Sequence, residues 1–187
     1  MKPISNYDEI KASDGEFAKP TNGGYCIEIV GVTDVPLTVG ADGKAKGNYL
    51  KIDFDICHGE LAGYYAKQHE RFGGDWYANF VSSYKESALG MFKHFTNCIE
   101  ESNQPYKWDW DEKKLVGKFL GVVLQEEEYT KRDGSVGVRV KVKYIKTVHD
   151  IMNGNFKIPQ TKKLDTSATN ATPNWTDVSE DDELPFN

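Results

Sequence analysis

One run constrains the fold more than any other: residues 48–57, NYLKIDFDIC. Leu50, Ile52, Phe54 and Ile56 fall on one side of an extended chain, and Tyr49, Lys51, Asp53 and Asp55 on the other. Such clean alternation is the pattern of a half-buried β-strand, not of a helix with its 3.6-residue period. Four more runs are β-branched or alternating and bounded by glycines and turn residues: 25–32 (YCIEIVGV), 76–81 (WYANFV), 115–125 (LVGKFLGVVLQ) and 136–148. They read as strands too, which makes five. In the last one Val138, Val140, Val142 and Tyr144 share a face, and Arg139, Lys141 and Lys143 the opposite one.

Between the third and fourth strands the period changes. Ser83 and Glu86 have the spacing of a capping box, and Ala88, Met91, Phe92, Phe95 and Ile99 follow at steps of three and four. That spacing predicts a helix with Met91, Phe92 and Phe95 in the core, closed by Asn103 and Pro105. Residues 60–72 allow a second, short helix. The Asp133-Gly134 pair suits a tight turn between the last two strands.

Three strands, a helix and two strands is the order of an OB-fold barrel. Such barrels bind oligonucleotides on one outer sheet face and with the loops joining strands 1–2 and 4–5. The expected fold is mainly β with one long helix: a five-stranded OB-fold-like barrel over residues 23–158, its helix between strands 3 and 4. Residues 1–22 read as a polar leader loop. Residues 159–176 are rich in Thr, Ser, Asn and Pro and read as a flexible linker, and 177–187 as the acidic tip of a disordered C-terminal tail.

The net charge of −6 argues against nucleic acid until it is divided. From Asp165 onward there are six acids and no Lys or Arg, so residues 1–164 carry 23 charges of each sign. A neutral body can still present a basic face, because binding depends on where charges sit. Both barrel loops carry bases, Lys44 and Lys46 in the first and Lys131 and Arg132 in the second. Together with Lys51 and the row Arg139, Lys141 and Lys143 they are the candidate phosphate contacts, which attract a backbone without reading sequence. Tyr49, Tyr77 and Tyr129 are the candidate rings for stacking bases, at roughly 1–3 kcal/mol per base. Trp108 and Trp110 flank an acid and read as packing against the barrel end.

Other chemistries find little support. There is no phosphate-cradling GxxxxGK[ST], no HExxH and no GxSxG. Cys57, His58 and His69 lack a second close ligand pair for zinc. Asp109, Asp111 and Glu112 lack the glycine-bearing loop of an EF-hand. We expect no metal, no cofactor and no enzymatic activity. No apolar run reaches the length of a membrane span, and the first residues lack the apolar stretch of a signal peptide. Three scattered cysteines, Cys26, Cys57 and Cys98, make no disulfide framework. A cytoplasmic protein is expected. Oligomeric state is not legible, and a homo-oligomer remains open.

The tail ends in Glu180, Asp181, Asp182, Glu183, Leu184, Pro185, Phe186 and Asn187. Acids followed at once by an apolar plug read as a partner-binding element, with Asp181–Phe186 the contact residues. This tip resembles the one that closes bacterial single-stranded DNA-binding proteins, with one departure: Asn187 follows Phe186 and displaces the α-carboxylate by a residue. In the body, residues 82–89 (SSYKESAL), 108–118 (WDWDEKKLVGK) and 126–129 (EEEY) resemble a family of phage and mobile-element proteins from Gram-positive bacteria. These proteins are regarded as single-stranded DNA-binding. The resemblance covers roughly residues 20–160 and implies an OB-fold protein in the bacterial host cytoplasm. It would coat single-stranded DNA during replication or recombination and recruit replication or recombination proteins through its tip. The alternative is an acidic DNA mimic or host-takeover protein that binds replication proteins and never touches DNA.

Overall fold

The structure, a computed structural model, describes residues 18–39 and 45–164. The leader before residue 18, Lys44 and the tail from Asp165, with its tip, lie outside the described residues. The chain is mainly β. Its principal strands are β1 (Gly23–Val35), β4 (Tyr49–Ile56), β5 (Asn79–Ser83), β6 (Phe119–Thr130) and β7 (Val136–Lys146). Two short strands, β2 (Thr38–Val39) and β3 (Ala45–Lys46), pair within the loop between β1 and β4. The large sheet is antiparallel throughout, in the order β5-β4-β1-β6-β7. Its two edges, β5 and β7, approach each other with no ladder between them among the described residues.

The alternation read in residues 48–57 holds as far as Phe54 and breaks at Asp55, which is buried under α1 instead of facing outward. Leu50, Ile52, Phe54 and Ile56 are all buried. Each such side chain taken from water contributes about 1.5–3 kcal/mol. They pack with Ile27 and Ile29 of β1 and with Leu120, Val122 and Leu124 of β6. β1 serves two partners: residues 23–28 pair with β6, and 27–35 pair with β4. A bulge at Val30, between the Ile29 and Gly31 pairings, lies just past the overlap. A bulge adds one unpaired residue and bends its strand, which lets one long strand serve both halves of a curved sheet.

Among the described residues three α-helices cover the sheet: the long one expected, the short one that residues 60–72 allowed, and a third after β7. The longest, α2 (Leu89–Ser102), follows β5 and precedes β6, and buries Phe92, Phe95, Cys98 and Ile99. It touches β5, β6 and β7, so it lies across both sheet edges. α1 (Tyr64–Phe72) packs on β4. Its first-turn amides at Tyr65 and Ala66 donate to the buried Asp55 carboxylate at 2.9 and 3.1 Å. Capping from a neighbouring strand thus replaces the missing N-cap side chain. α3 (Val148–Met152) packs on β1 and β6, on the sheet face opposite the main core. There Val123 is fully buried. A Cβ on Gly121 would stand 2.3 Å from the Thr147 carbonyl oxygen.

Several boundaries and faces differ from the sequence reading. The third strand spans Asn79–Ser83 rather than 76–81, because residues 76–78 are held by the Trp76 indole and Ala78 carbonyl bonding to Phe54. Ser83 therefore ends a strand and makes no capping box; a 3₁₀ turn, Glu86–Ala88, leads into α2 without a side-chain cap. Met91 is 66% exposed and is not a core residue. Residues 112–115 form a second 3₁₀ turn, so the fourth strand begins at Phe119. Tyr144 does not share a face with Val142. Val123 pairs with Tyr144 and Leu124 with Val142, so Lys143 is an extra residue in β7 and flips the alternation there.

The chain from Pro159, read above as linker, is hydrogen-bonded along β6 as far as Leu164. Lys162 donates its amide to the Glu126 carbonyl and accepts from the Glu128 amide, both at 2.9 Å. Gln125 and Glu128 hold Gln160 and Leu164 with their side chains. Asn22 closes the start of this segment by donating to Thr161 at 2.8 Å.

Candidate nucleic-acid interface

The β6–β7 hairpin carries the densest set of the predicted residues. Its turn is closed by backbone bonds from Lys131 to Ser135 (2.8 Å) and from Gly134 to Lys131 (3.0 Å). Gly134 supplies a left-handed φ of 82°, and Asp133 accepts from the Ser135 amide and hydroxyl. The register sets Tyr129 opposite Gly137, Glu127 opposite Arg139 and Gln125 opposite Lys141. Residues directly opposite share a face. Tyr129, Arg139, Lys141 and Glu127 therefore form one surface, away from the main core.

On that surface the Tyr129 ring lies over Gly137. A Cβ there would meet ring atoms at 2.8 and 2.9 Å and the Lys131 side chain at 2.9 Å. The Arg139 guanidinium carbon sits 5.3 Å from the ring centroid, in cation–π range. A half-buried ring is thus held flat on the strand between basic side chains. This pairing of an aromatic residue with a cross-strand glycine orders the ring at low cost.

Glu127 lies at the centre of the charge. One carboxylate oxygen receives Arg139 Nε at 3.0 Å and Lys141 Nζ at 2.9 Å, and the other faces Lys162 Nζ at 3.4 Å. Its own side chain is 16% exposed. Hydrogen bonds from Lys141 first, and from Arg139, outweigh its desolvation and hold its pKa down to about 2. Lys162 was missed in the sequence because it lies in the segment read as linker. It docks by polar and backbone bonds, which leave no apolar periodicity.

The remaining predicted residues disperse. Arg132 is exposed in the turn, and Lys143 is exposed at the β7 bulge, 5.8 Å from the Tyr144 ring centroid. Tyr49 and Lys51 lie on the outer face of β4, where Lys51 pairs with Asp53 at 3.3 Å and Val81 of β5 stands exposed opposite it. Tyr77 is 61% exposed, edge-on to the buried Tyr65 at 5.6 Å. Lys46 falls in β3, while Lys44 and the tip residues Asp181, Asp182, Glu183, Leu184, Pro185 and Phe186 lie outside the described residues.

The strand ends that the two basic loops join lie at opposite ends of the sheet. The first loop joins the paired residues Val35 and Tyr49; the second lies beyond the Gly23–Leu124 pair at the other end of β1. Among the described residues, Tyr49 and Lys51 therefore lie on β4, apart from Tyr129, Arg139 and Lys141 on β6–β7, and the predicted residues make no single surface.

Elsewhere, Trp108 is half-buried against Phe92. Trp110 is 75% exposed, stacked on the same ring at 6.3 Å and 24°. Burial pushes the Cys57 and Cys98 thiols up to about 11, so both stay protonated near neutral pH. Among the described residues no three His, Cys, Asp or Glu side chains converge as a metal site, and no helix is long and apolar enough to cross a membrane. No protein-family model matches the chain, and neither does any curated protein.

Proposed function

We propose that the chain is a non-enzymatic, sequence-tolerant single-stranded DNA-binding protein, built on an OB-type barrel that the five-stranded sheet forms as its edges curl together around α2. The observation that carries this reading is the Tyr129 ring held flat beside Arg139 and Lys131 on the β6–β7 hairpin. Stacked rings bind any base, and neighbouring cations bind any backbone. The order β5-β4-β1-β6-β7 supports it, since an OB barrel opened between its third and fifth strands has that order. The hairpin would be the second binding loop of such a barrel and the β4–β5 outer face its central platform.

In keeping with the family resemblance, the protein coats exposed strands during phage or mobile-element replication or recombination in a bacterial cytoplasm. Its acidic tip recruits replication or recombination proteins. Fluorescence titration with oligo-dT tests the central claim: binding that weakens steeply with salt is expected, and no binding at low salt removes it.

One observation favours the DNA-mimic reading. Arg139 and Lys141 already share a carboxylate, and Lys51 already has Asp53. If that reading holds, a protein lacking residues 177–187 fails to bind oligo-dT at any salt, while the full chain still captures replication proteins through its tip.

A further inference from the structure

Three cations on one carboxylate is an unequal arrangement. Arg139 and Lys141 come from alternate positions of β7, and Lys162 from the docked segment beside β6. With Glu127 they leave two net positive charges in one place. The cationic side chains are half-exposed, at 49, 54 and 66%, whereas the carboxylate is mostly covered. Arg139 engages Glu127 through Nε, one of five guanidinium donors, and each ammonium has three. Donor capacity therefore remains for a second oxyanion.

We propose that Glu127 is a built-in phosphate surrogate: it keeps Arg139, Lys141 and Lys162 gathered while the site is empty, and an incoming phosphate takes them over. Lys162 thereby becomes a phosphate-binding residue, and Glu127 a positioning residue that lowers affinity. The proposal rests on the nucleic-acid reading only for the source of the phosphate, a strand backbone. The shape of the site follows from its own charges. A carboxylate and a phosphate oxygen accept the same charge-assisted bonds. The anion already present must be displaced or outcompeted before the cations are fully used. Glu127 thus trades affinity for an ordered site that does not hold every passing anion.

The test compares the full-length chain with its Glu127→Gln and Lys162→Gln variants. Each is titrated with oligo-dT over a salt series and, separately, with inorganic tripolyphosphate while the Arg139 Nε–Hε resonance is followed by NMR. Glu127→Gln should bind oligo-dT about fivefold tighter at low salt, with the slope of log affinity against log salt steeper by about 0.7, the equivalent of one more net positive charge facing a single strand. Lys162→Gln should bind more weakly, with a slope shallower by a similar amount. Tripolyphosphate should move the Arg139 resonance at lower concentration in Glu127→Gln than in the parent.

Equal or weaker binding of both anions by folded Glu127→Gln overturns the proposal. If that variant fails to fold, Lys162→Gln decides, because it leaves Glu127 paired by Arg139 and Lys141; unchanged affinity and slope there overturn the proposal as well. Tripolyphosphate binding without oligo-dT binding keeps the anion site and rejects the single-stranded DNA reading instead.

Discussion

Replacing Gly137 with alanine should separate binding from stability. The new Cβ would stand 2.8 Å from Tyr129 Cε1 and 2.9 Å from Cζ, where ordinary contact begins at 3.4 Å. The Lys131 end can swing aside cheaply, but the ring must lift off the strand and lose its place beside Arg139 at 5.3 Å. Two stability effects then nearly cancel. Removing a strand glycine gains about 0.5–1 kcal/mol, and losing an exposed cation–π contact costs about 0.5–1 kcal/mol. Urea unfolding should therefore move by less than about 1 kcal/mol. Affinity should not be spared, because one stacking platform is worth about 1–3 kcal/mol. Oligo-dT affinity should fall about 5- to 150-fold. Tyr129→Ala should cause the same loss, and the double variant no more than either, as expected of two changes acting on one contact. Gly137→Ala that binds as tightly as the parent would refute the claim that the flat Tyr129 ring is the platform.

Other expectations concern the frame around the site. Gly121→Ala drives a Cβ to 2.3 Å from the Thr147 carbonyl oxygen and 2.6 Å from Ile151. It should cost about 2–3 kcal/mol in thermal unfolding. Asp55→Ala strips acceptors from the amides of Ile56, Tyr65 and Ala66; a loss of about 2–3 kcal/mol, with reduced helicity, is expected by circular dichroism.

Glu127 titrates near 2 when folded, below its ordinary 4.5. Its stabilisation is present above pH 4.5 and lost as pH falls toward 2. Glu127→Gln should flatten that part of the pH–stability curve, an effect on the order of 1 kcal/mol for exposed partners. Deleting residues 177–187 should tighten oligo-dT binding if the tail competes for the basic face, and equal affinity with and without it would reject that competition.

The parts of the fold legible in the sequence are those in which one strand face meets the core and the other does not. β4 is the clearest case: Leu50, Ile52, Phe54 and Ile56 are buried, while Tyr49, Lys51 and Asp53 are partly exposed; only Asp55 of that face is covered, by α1. Where both faces are covered, alternation fades; Leu120 to Leu124 are buried without a break because α3 lies on the second face. Where a bulge intervenes, alternation misleads. The extra Lys143 turned Tyr144 to the wrong side in the sequence reading, although the Arg139 and Lys141 face was read correctly. Met91 satisfied the helical period, but it lies on the exposed side of α2.

The candidate site is legible as a set of residue types and not as a set of available charges. Period 2 says which side chains share a surface, but nothing about which of them are already neutralised. Lys51 is taken by Asp53, and Arg139 and Lys141 by Glu127, whose place in the row EEEY marked it only as one acid among three. Among the described residues Lys131, Arg132 and Lys143 make no ion pair. Lys162 enters through a segment held by Asn22, Glu126 and Glu128, polar partners at sequence separations no local pattern can span. A binding surface assembled from unpaired cations at the turn and shared cations at its centre would hold a strand in two steps. On the proposed reading, Lys131 and Arg132 would meet the phosphates first, at little desolvation cost, and the central three would follow only when the strand is close enough to replace a carboxylate. Such a surface loses its outer contacts first as salt rises, because exposed charges are screened more than covered ones.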